Sequence, residues 1–412
     1  KLIFAEDKGE GDISSFAALA TALAATVGTG NIVGVATAIK TGGPGALFWM
    51  WIAAFFGMAT KYSEGLLAIK FRTLDDQGNV SGGPMYYITH GFSGKWQTIA
   101  KPLAYFFAFA GVLVAWLGIG TFSQVNSITA SLQNSFDWSP KIVSILLALI
   151  TAAIIFGGIQ SISKVSEKVV PFMAGLYILA ALVVIFANFN QLLPVLEMVF
   201  QSAFTGKAAV GGFAGATVMV AMRLGIARGV FSNESGLGSA PIAAAAAKTE
   251  EPVEQGLISM TGTFIDTIII CTLTGLTIIV SGEWMGNLNG AALTNAAFGS
   301  VFPTIGSYLL CICLALFAFT TILGWNYYGE RCIIYLAGVK AVLPYRIVFI
   351  LLIASAAFLK LEVIWVLADI VNGLMAIPNL IALIGLSGVV VAETKRYNEY
   401  LKAEKVNKAE NK

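Results

Sequence analysis

Residues 24–36 read Ala24-Ala25-Thr26-Val27-Gly28-Thr29-Gly30-Asn31-Ile32-Val33-Gly34-Val35-Ala36, in the middle of an apolar stretch, 14–39, long enough to cross a bilayer. Glycines weaken a helix interior by roughly 1 kcal/mol each relative to alanine. In lipid, every backbone group they free must find another partner. A second interruption, Phe231-Ser232-Asn233-Glu234-Ser235-Gly236-Leu237-Gly238, breaks a stretch about two hundred residues downstream. Two such breaks, each in the first long span of its half of the chain, are the pattern of a transport site. There the loose amides and carbonyls bind substrate and ions instead of each other.

The composition supports a membrane setting. Of the residues, 57% are hydrophobic and 12% charged, against about 25% charged in soluble domains. The net charge of +2 gives no reason to expect a nucleic-acid partner. The cysteines, Cys271, Cys311, Cys313 and Cys332, all lie in apolar segments and read as small hydrophobes. The single histidine, His90, falls in a polar loop.

Ten apolar stretches reach spanning length: 14–39, 46–70, 98–130, 140–158, 168–188, 208–247, 256–281, 302–338, 343–358 and 363–391. Basic residues orient them. With residue 1 on one side, that side carries 18 Lys and Arg, the opposite side carries Lys40, Lys141, Lys207 and Lys360, and Lys61, Arg223 and Arg228 lie within spans. Both ends of the chain are therefore expected in the cytoplasm. The ends comprise segment 1–13, which begins with Lys1 and so reads as truncated, and a mixed-charge tail, 392–412. Five spans per half (14–189 and 190–391) force the halves into opposite orientations. The expected fold is an all-α polytopic membrane protein built as an inverted repeat, with spans 1 and 6 broken.

In span 1 the spacing Gly28, Gly30, Gly34 is one residue too long for a dinucleotide loop, and no strand precedes it. A helix restarting near Thr29 presents free amides and a positive dipole end, which suits a carboxylate. In span 6, Ser232 and Asn233 offer oxygens and Phe231 a pocket wall. Glu234 is an intramembrane carboxylate, and such groups are functional by default. Thr320 and Thr321, adjacent in span 8, read either as cation ligands or as hydroxyls bonded back to their own helix. Trp325 reads either as a pocket wall or as a packing aromatic. Asp266 is a lone acid in span 7. Lys61 with Glu64, and Glu330 with Arg331, are expected to be interfacial anchors at the inner ends of spans 2 and 8. Arg228 or Arg223 is expected to pair with Asp369 as an outer gate.

The runs Gly28–Ala36, Gly42-Gly43-Pro44-Gly45-Ala46-Leu47-Phe48-Trp49-Met50-Trp51, Lys61-Tyr62-Ser63-Glu64-Gly65, Ser81-Gly82-Gly83-Pro84-Met85-Tyr86-Tyr87 and Phe231–Pro241 together resemble the alanine or glycine:cation symporter family. The similarity covers essentially the whole chain. That family belongs to the amino acid–polyamine–organocation group, with the five-plus-five LeuT-type fold, and often carries an additional N-terminal helix. The resemblance implies sodium-coupled uptake of alanine or glycine in the cell membrane, with no cofactor beyond the coupling ion.

It also implies sites. The substrate carboxylate would meet the amides of Thr29 and Gly30. Phe231 and Trp325 would bound the methyl side, and Asn233 and Gln124 would contact the polar ends. Gln124 stands where related transporters place a tyrosine. One sodium would lie among the carbonyls of Ala24, Val27 and Phe317 and the hydroxyls of Thr320 and Thr321. A second cation would fall near Thr26, Asn31 and Ser232, with Thr263 or Asp266 from span 7. Proton coupling through Asp266 or Glu234, and exchange without an ion, stay open. An intramembrane enzyme is disfavoured: the sequence has no HExxH or GxSxG run and one histidine.

Overall fold

The computed structural model describes residues 2–4, 9–205, 218–303, 305–358 and 361–410. The opening part of span 6 (208–217) and Lys1, Lys8, Lys207, Lys360 and Lys412 of the charge count lie outside them. Six helices among the described residues are long and apolar enough to cross a membrane, and a bent pair makes a seventh. Three further helical bodies complete the ten expected spans. They are Pro140–Ile155, the helix Gly45–Lys70 and the broken span 6.

Span 1 is that bent pair. Ser14 starts it by accepting the amide of Ala17 at 3.0 Å, and the first half, Ser15–Thr26, ends where Val27 turns extended. A wide π-type turn follows over Gly30–Gly34, then Val35–Gly42. The two halves meet at 50°. Gly43, with φ 74°, stops the second half and lets Pro44 open span 2.

Span 6 consists of Val218–Asn233 and Ala240–Ala244, joined by an irregular segment. Span 7 carries its own π-type stretch, Phe264–Cys271, between Pro252–Thr263 and Thr272–Val280. Such bulges recur at functional sites. Span 3 holds a break the sequence reading missed. Gln97–Leu117 and Phe122–Phe136 are separated by Gly118-Ile119-Gly120-Thr121, the same glycine–x–glycine spacing as in span 1.

Small residues bring the spans together, as membrane interiors require. A Cβ on Gly324 of span 8 would lie 2.6 Å from the Cβ of Ala25 and 2.9 Å from its Cα. A Cβ on Gly65 of span 2 would lie 2.4 Å from Ser259 Oγ on span 7. Outward-facing Leu149, Phe172, Leu179 and Phe186 stay exposed, which is the apolar surface that lipid covers.

Both ends of the described chain lie on one face. Asp12 and Ile13 donate amides to the Ala246 carbonyl at 2.9 and 3.1 Å, and Lys248 returns one to Ile13 at 2.8 Å. The mixed-charge tail forms the last helix, Ser387–Glu410, which docks on this face. Lys70 pairs with Glu393 at 2.5 Å, Arg396 pairs with Glu251, and the Tyr397 hydroxyl donates to Glu254 at 2.9 Å. Span 10 accordingly ends at Gly385, short of the expected 391. His90 sits exposed on a short helix, Pro84–Gly91, not in a loop.

Candidate functional site

The breaks in spans 1, 3 and 6 meet. The amide of Gly28 donates to Asn31 Oδ1 at 2.8 Å, and that of Thr29 to Gln124 Oε1 at 3.4 Å. Gln124 reaches it because the break in span 3 frees the Ile119 carbonyl, which accepts Gln124 Nε2 at 3.1 Å. Side-chain oxygens thus occupy the loose amides of span 1. A Cβ on Gly30 would lie 3.0 Å from Ser232 Cα and 3.3 Å from Phe231 Cδ1, so the two broken spans touch through that glycine. Phe231 is buried beneath the Arg228 guanidinium, 5.5 Å from the ring centroid.

Asn233 faces span 7. Its Nδ2 donates to Thr267 Oγ1 at 3.0 Å and its Oδ1 accepts the Ser235 amide at 2.9 Å. Trp325 is fully buried, and its indole N–H donates to Glu234 Oε1 at 2.8 Å.

The residues assigned to the first cation gather at the span 1–span 8 contact. Thr320 and Thr321 both donate to the Phe317 carbonyl at 3.0 Å. The Thr321 hydroxyl also lies 3.4 Å from the Val27 carbonyl, across the break. Back-bonding within the helix and contact with the unwound backbone therefore coexist. Ala24 is buried in the last turn before the break.

The second cation residues are brought together only in part. Asn31 Nδ2 donates to Asp266 Oδ1 at 2.7 Å, and Ser232 Oγ to Asp266 Oδ2 at 2.9 Å. Thr267, which the sequence reading missed, donates to the same Oδ2 at 2.7 Å. Thr263 bonds instead with Ser235 at 3.1 Å, and the Thr26 hydroxyl turns back to the Ala22 carbonyl at 3.1 Å. What remains is the Asp266 carboxylate with three side chains donating to it, Asn31 through its amide nitrogen and Ser232 and Thr267 through their hydroxyls. That chemistry suits a small hard cation. On the face opposite the chain ends, Arg228 and Asp369 form an ion pair at 3.5 Å.

The expected anchors at the ends of spans 2 and 8 are corrected. Lys61 and Glu64 are 3% and 0% exposed. The small residues facing them on spans 6 and 7 draw span 2 into the bundle, so neither side chain reaches an interface. Glu64 Oε1 accepts Asn379 Nδ2 at 2.7 Å and the Gly236 amide at 3.2 Å, which ties spans 2 and 10 to the break in span 6.

Glu330 and Arg331 are likewise buried in an ion network. Arg331 lies 3.1 Å from Asp75, and Arg346 lies 2.7 Å from Glu330. Asp75 sits in the hairpin of Thr73–Leu74 and Val80–Ser81. Burial raises its carboxyl, but the amides of Asn79 and Gln77 and the Arg331 guanidinium outweigh this and hold it below the usual carboxylate value. No periodicity announces these pairs, because their partners come from other parts of the chain, Asp75 from the hairpin and Arg346 from span 9.

Comparison with known proteins agrees with this architecture. A TM-score of 0.65, at 14% identity, relates the chain to MhsT in complex with L-phenylalanine, over 94% of this chain and 93% of that one. A Na+-coupled sialic acid symporter in a substrate-bound outward-open state gives 0.58 at 13% identity, over 92% and 78%. These neighbours show the five-plus-five LeuT-type fold. In sequence, the chain is 51% identical to the sodium/alanine symporter AgcS of Methanococcus maripaludis, over 98% of this chain and 88% of that protein. It is 55% identical to an uncharacterized transporter of Haemophilus influenzae, over 97% and 87%. The model of the sodium:alanine symporter family matches residues 1–411. The chain is a transporter, and it belongs to the sodium:alanine symporter family.

Proposed function

We propose that this membrane transporter carries small neutral amino acids, alanine and glycine, into the cell together with sodium by alternating access. The observation that carries the reading is the pair of loose amides at Gly28 and Thr29, held by Asn31 Oδ1 and Gln124 Oε1. A substrate carboxylate takes the place of those oxygens, adding its charge to the positive end of the helix that follows. Phe231 and Trp325 bound the side chain, and Asn233 orients the polar end.

One sodium lies with Ala24, Val27, Phe317, Thr320 and Thr321. A second cation lies with Asn31, Ser232, Asp266 and Thr267. Binding of either organises the unwound backbone, and the gradient drives flux because each ligand favours one state over the other. The two repeats, 14–189 and 190–391, rock about the midplane. The excess of basic residues on the terminal face supports both ends lying in the cytoplasm, and Arg228 with Asp369 gates the outer side.

One observation allows a proton in place of the second sodium. The Asp266 carboxylate is fully buried and takes its hydrogen bonds from the neutral groups Asn31, Ser232 and Thr267, so its charge is left for a bound sodium ion or a proton to neutralise.

Labelled alanine uptake into liposomes, under an inward sodium gradient, an inward proton gradient or neither, tests the reading. Uptake only with sodium is expected. Uptake driven by protons alone moves the coupling to Asp266. Exchange without either gradient overturns the coupling.

A further inference from the structure

Glu234 is the first residue past the helix Val218–Asn233, and its backbone is left-handed, with φ 57°. A glutamate keeps such a backbone only where its surroundings over-determine it. Here they do. Its Oε2 accepts the Ser239 hydroxyl at 2.5 Å, and its Oε1 accepts the Trp325 indole N–H at 2.8 Å. Glu234 and Trp325 are 0% and 1% exposed. One carboxylate therefore ties together the end of the first half of span 6, the start of its second half and the middle of span 8.

Trp325 stands one helical turn beyond Thr321, on the same face of span 8. Thr321 reaches the Val27 carbonyl at the break of span 1. On span 3, a Cβ on Gly120 would lie 2.8 Å from the Trp325 Cβ. The indole is thus wedged where the breaks of spans 1, 3 and 6 converge. A buried indole N–H needs an acceptor, and Glu234 is the group that supplies one.

We propose that Glu234 is a positioning residue. It fixes the Trp325 ring as the wall that limits the side chain of the transported amino acid, so selectivity for the smallest substrates depends on a carboxylate that need not touch them. The proposal rests on the reading of the chain as a small-amino-acid symporter.

The test compares Glu234→Ala, Glu234→Gln and Trp325→Phe in liposomes, measuring KM and Vmax for alanine and for valine. Gln keeps an acceptor for the indole and a partner for Ser239; Ala keeps neither. Trp325→Phe keeps an aromatic wall but loses the tether. The expected result for Glu234→Ala is a shift of at least tenfold in the valine-to-alanine KM ratio toward valine. Trp325→Phe should shift it in the same direction, and Glu234→Gln should leave it at the starting value. An unchanged ratio in Glu234→Ala, or an equal shift in Glu234→Gln, overturns the proposal.

A second readout needs no substrate. The fluorescence contributed by Trp325, taken as the difference from Trp325→Phe, should change in the Glu234→Ala background and persist in Glu234→Gln. No change in Glu234→Ala overturns the clasp. If the unaltered chain carries no amino acid in liposomes, the proposed function fails, while the fluorescence still decides whether Glu234 holds the indole. Should Glu234→Ala not fold, Trp325→Phe and Glu234→Gln carry the comparison.

Discussion

Asn31 and Asp266 meet across the bundle on two facing π-type turns, with Asn31 Nδ2 donating to Asp266 Oδ1 at 2.7 Å. The wider turns rotate both side chains out of regular helical register and toward each other. In the proposed second cation site, Asp266 supplies the one negative charge. Replacing Asp266 by Asn removes that charge and keeps the shape. Contacts to a charged group contribute about 1.5–3 kcal/mol, so the sodium concentration for half-maximal uptake should rise about 10- to 100-fold. Sodium titration of alanine uptake checks this, and an unchanged titration means that Asp266 binds no coupling ion.

Thr320 and Thr321 offer hydroxyls without charge. If they are ligands of the proposed sodium, the double change Thr320→Ala with Thr321→Ala removes about 1 kcal/mol for each, so half-saturation by sodium should rise about tenfold or more. Thr321→Ser, which retains the hydroxyl beside the Val27 carbonyl, should stay near the starting value. A double variant with unaltered sodium dependence would remove the first ion site from this surface.

Arg72 staples the terminal face. Its Nη1 donates to the Ala245 and Ala247 carbonyls at 2.9 and 2.7 Å, and its Nη2 to those of Glu10 and Thr249 at 2.7 and 2.8 Å. With the backbone bonds of Asp12, Ile13 and Lys248, it joins the segment before span 1 to the segment after span 6. These two half-spans should open as one body. Lysine carries the charge but not the planar fork, so Arg72→Lys should behave like Arg72→Ala. Both should label a cysteine at Thr26 at least several-fold faster with a thiol reagent added from the terminal face. Equal labelling rates would show that Arg72 does not hold this face shut.

Asp75 should contribute stability with a defined pH window. Its carboxyl is held below the ordinary 3.8 by the amides of Asn79 and Gln77 and by Arg331 against the opposing effect of burial. The contribution is therefore complete above the ordinary value and is lost as pH falls through the lowered one. Asp75→Asn should lower stability by about 1–3 kcal/mol at neutral pH, and the difference should vanish in strong acid. Thermal melts in detergent at both pH values measure it. A difference that instead disappears between pH 5 and 8 would show that another group is responsible.

The sequence by itself determined the membrane class, the ten spans and the two breaks at Gly28–Gly30 and Ser232–Gly238, because lipid tolerates glycine and polar runs in mid-span only where something replaces the lost backbone bonds. It also exposed Asp266, Thr320 and Thr321 as polar groups that apolar helices do not need. It did not reveal the break at Gly118–Thr121 that delivers Gln124 to Thr29, although the glycine spacing repeats that of span 1.

Tertiary structure alone decided which oxygens converge. Thr267 joins Asp266 while Thr263 turns away, because the π-type turn of span 7 shifts helical phase without leaving a mark on composition, and the Thr26 hydroxyl bonds back to its own helix. It alone buried Lys61, Glu64, Glu330 and Arg331, which hydropathy places near span ends. The physical reason is common to these cases. Span length and breakage follow from local backbone chemistry, whereas burial and partner choice follow from how closely small residues such as Gly65 and Gly324 let neighbouring helices approach.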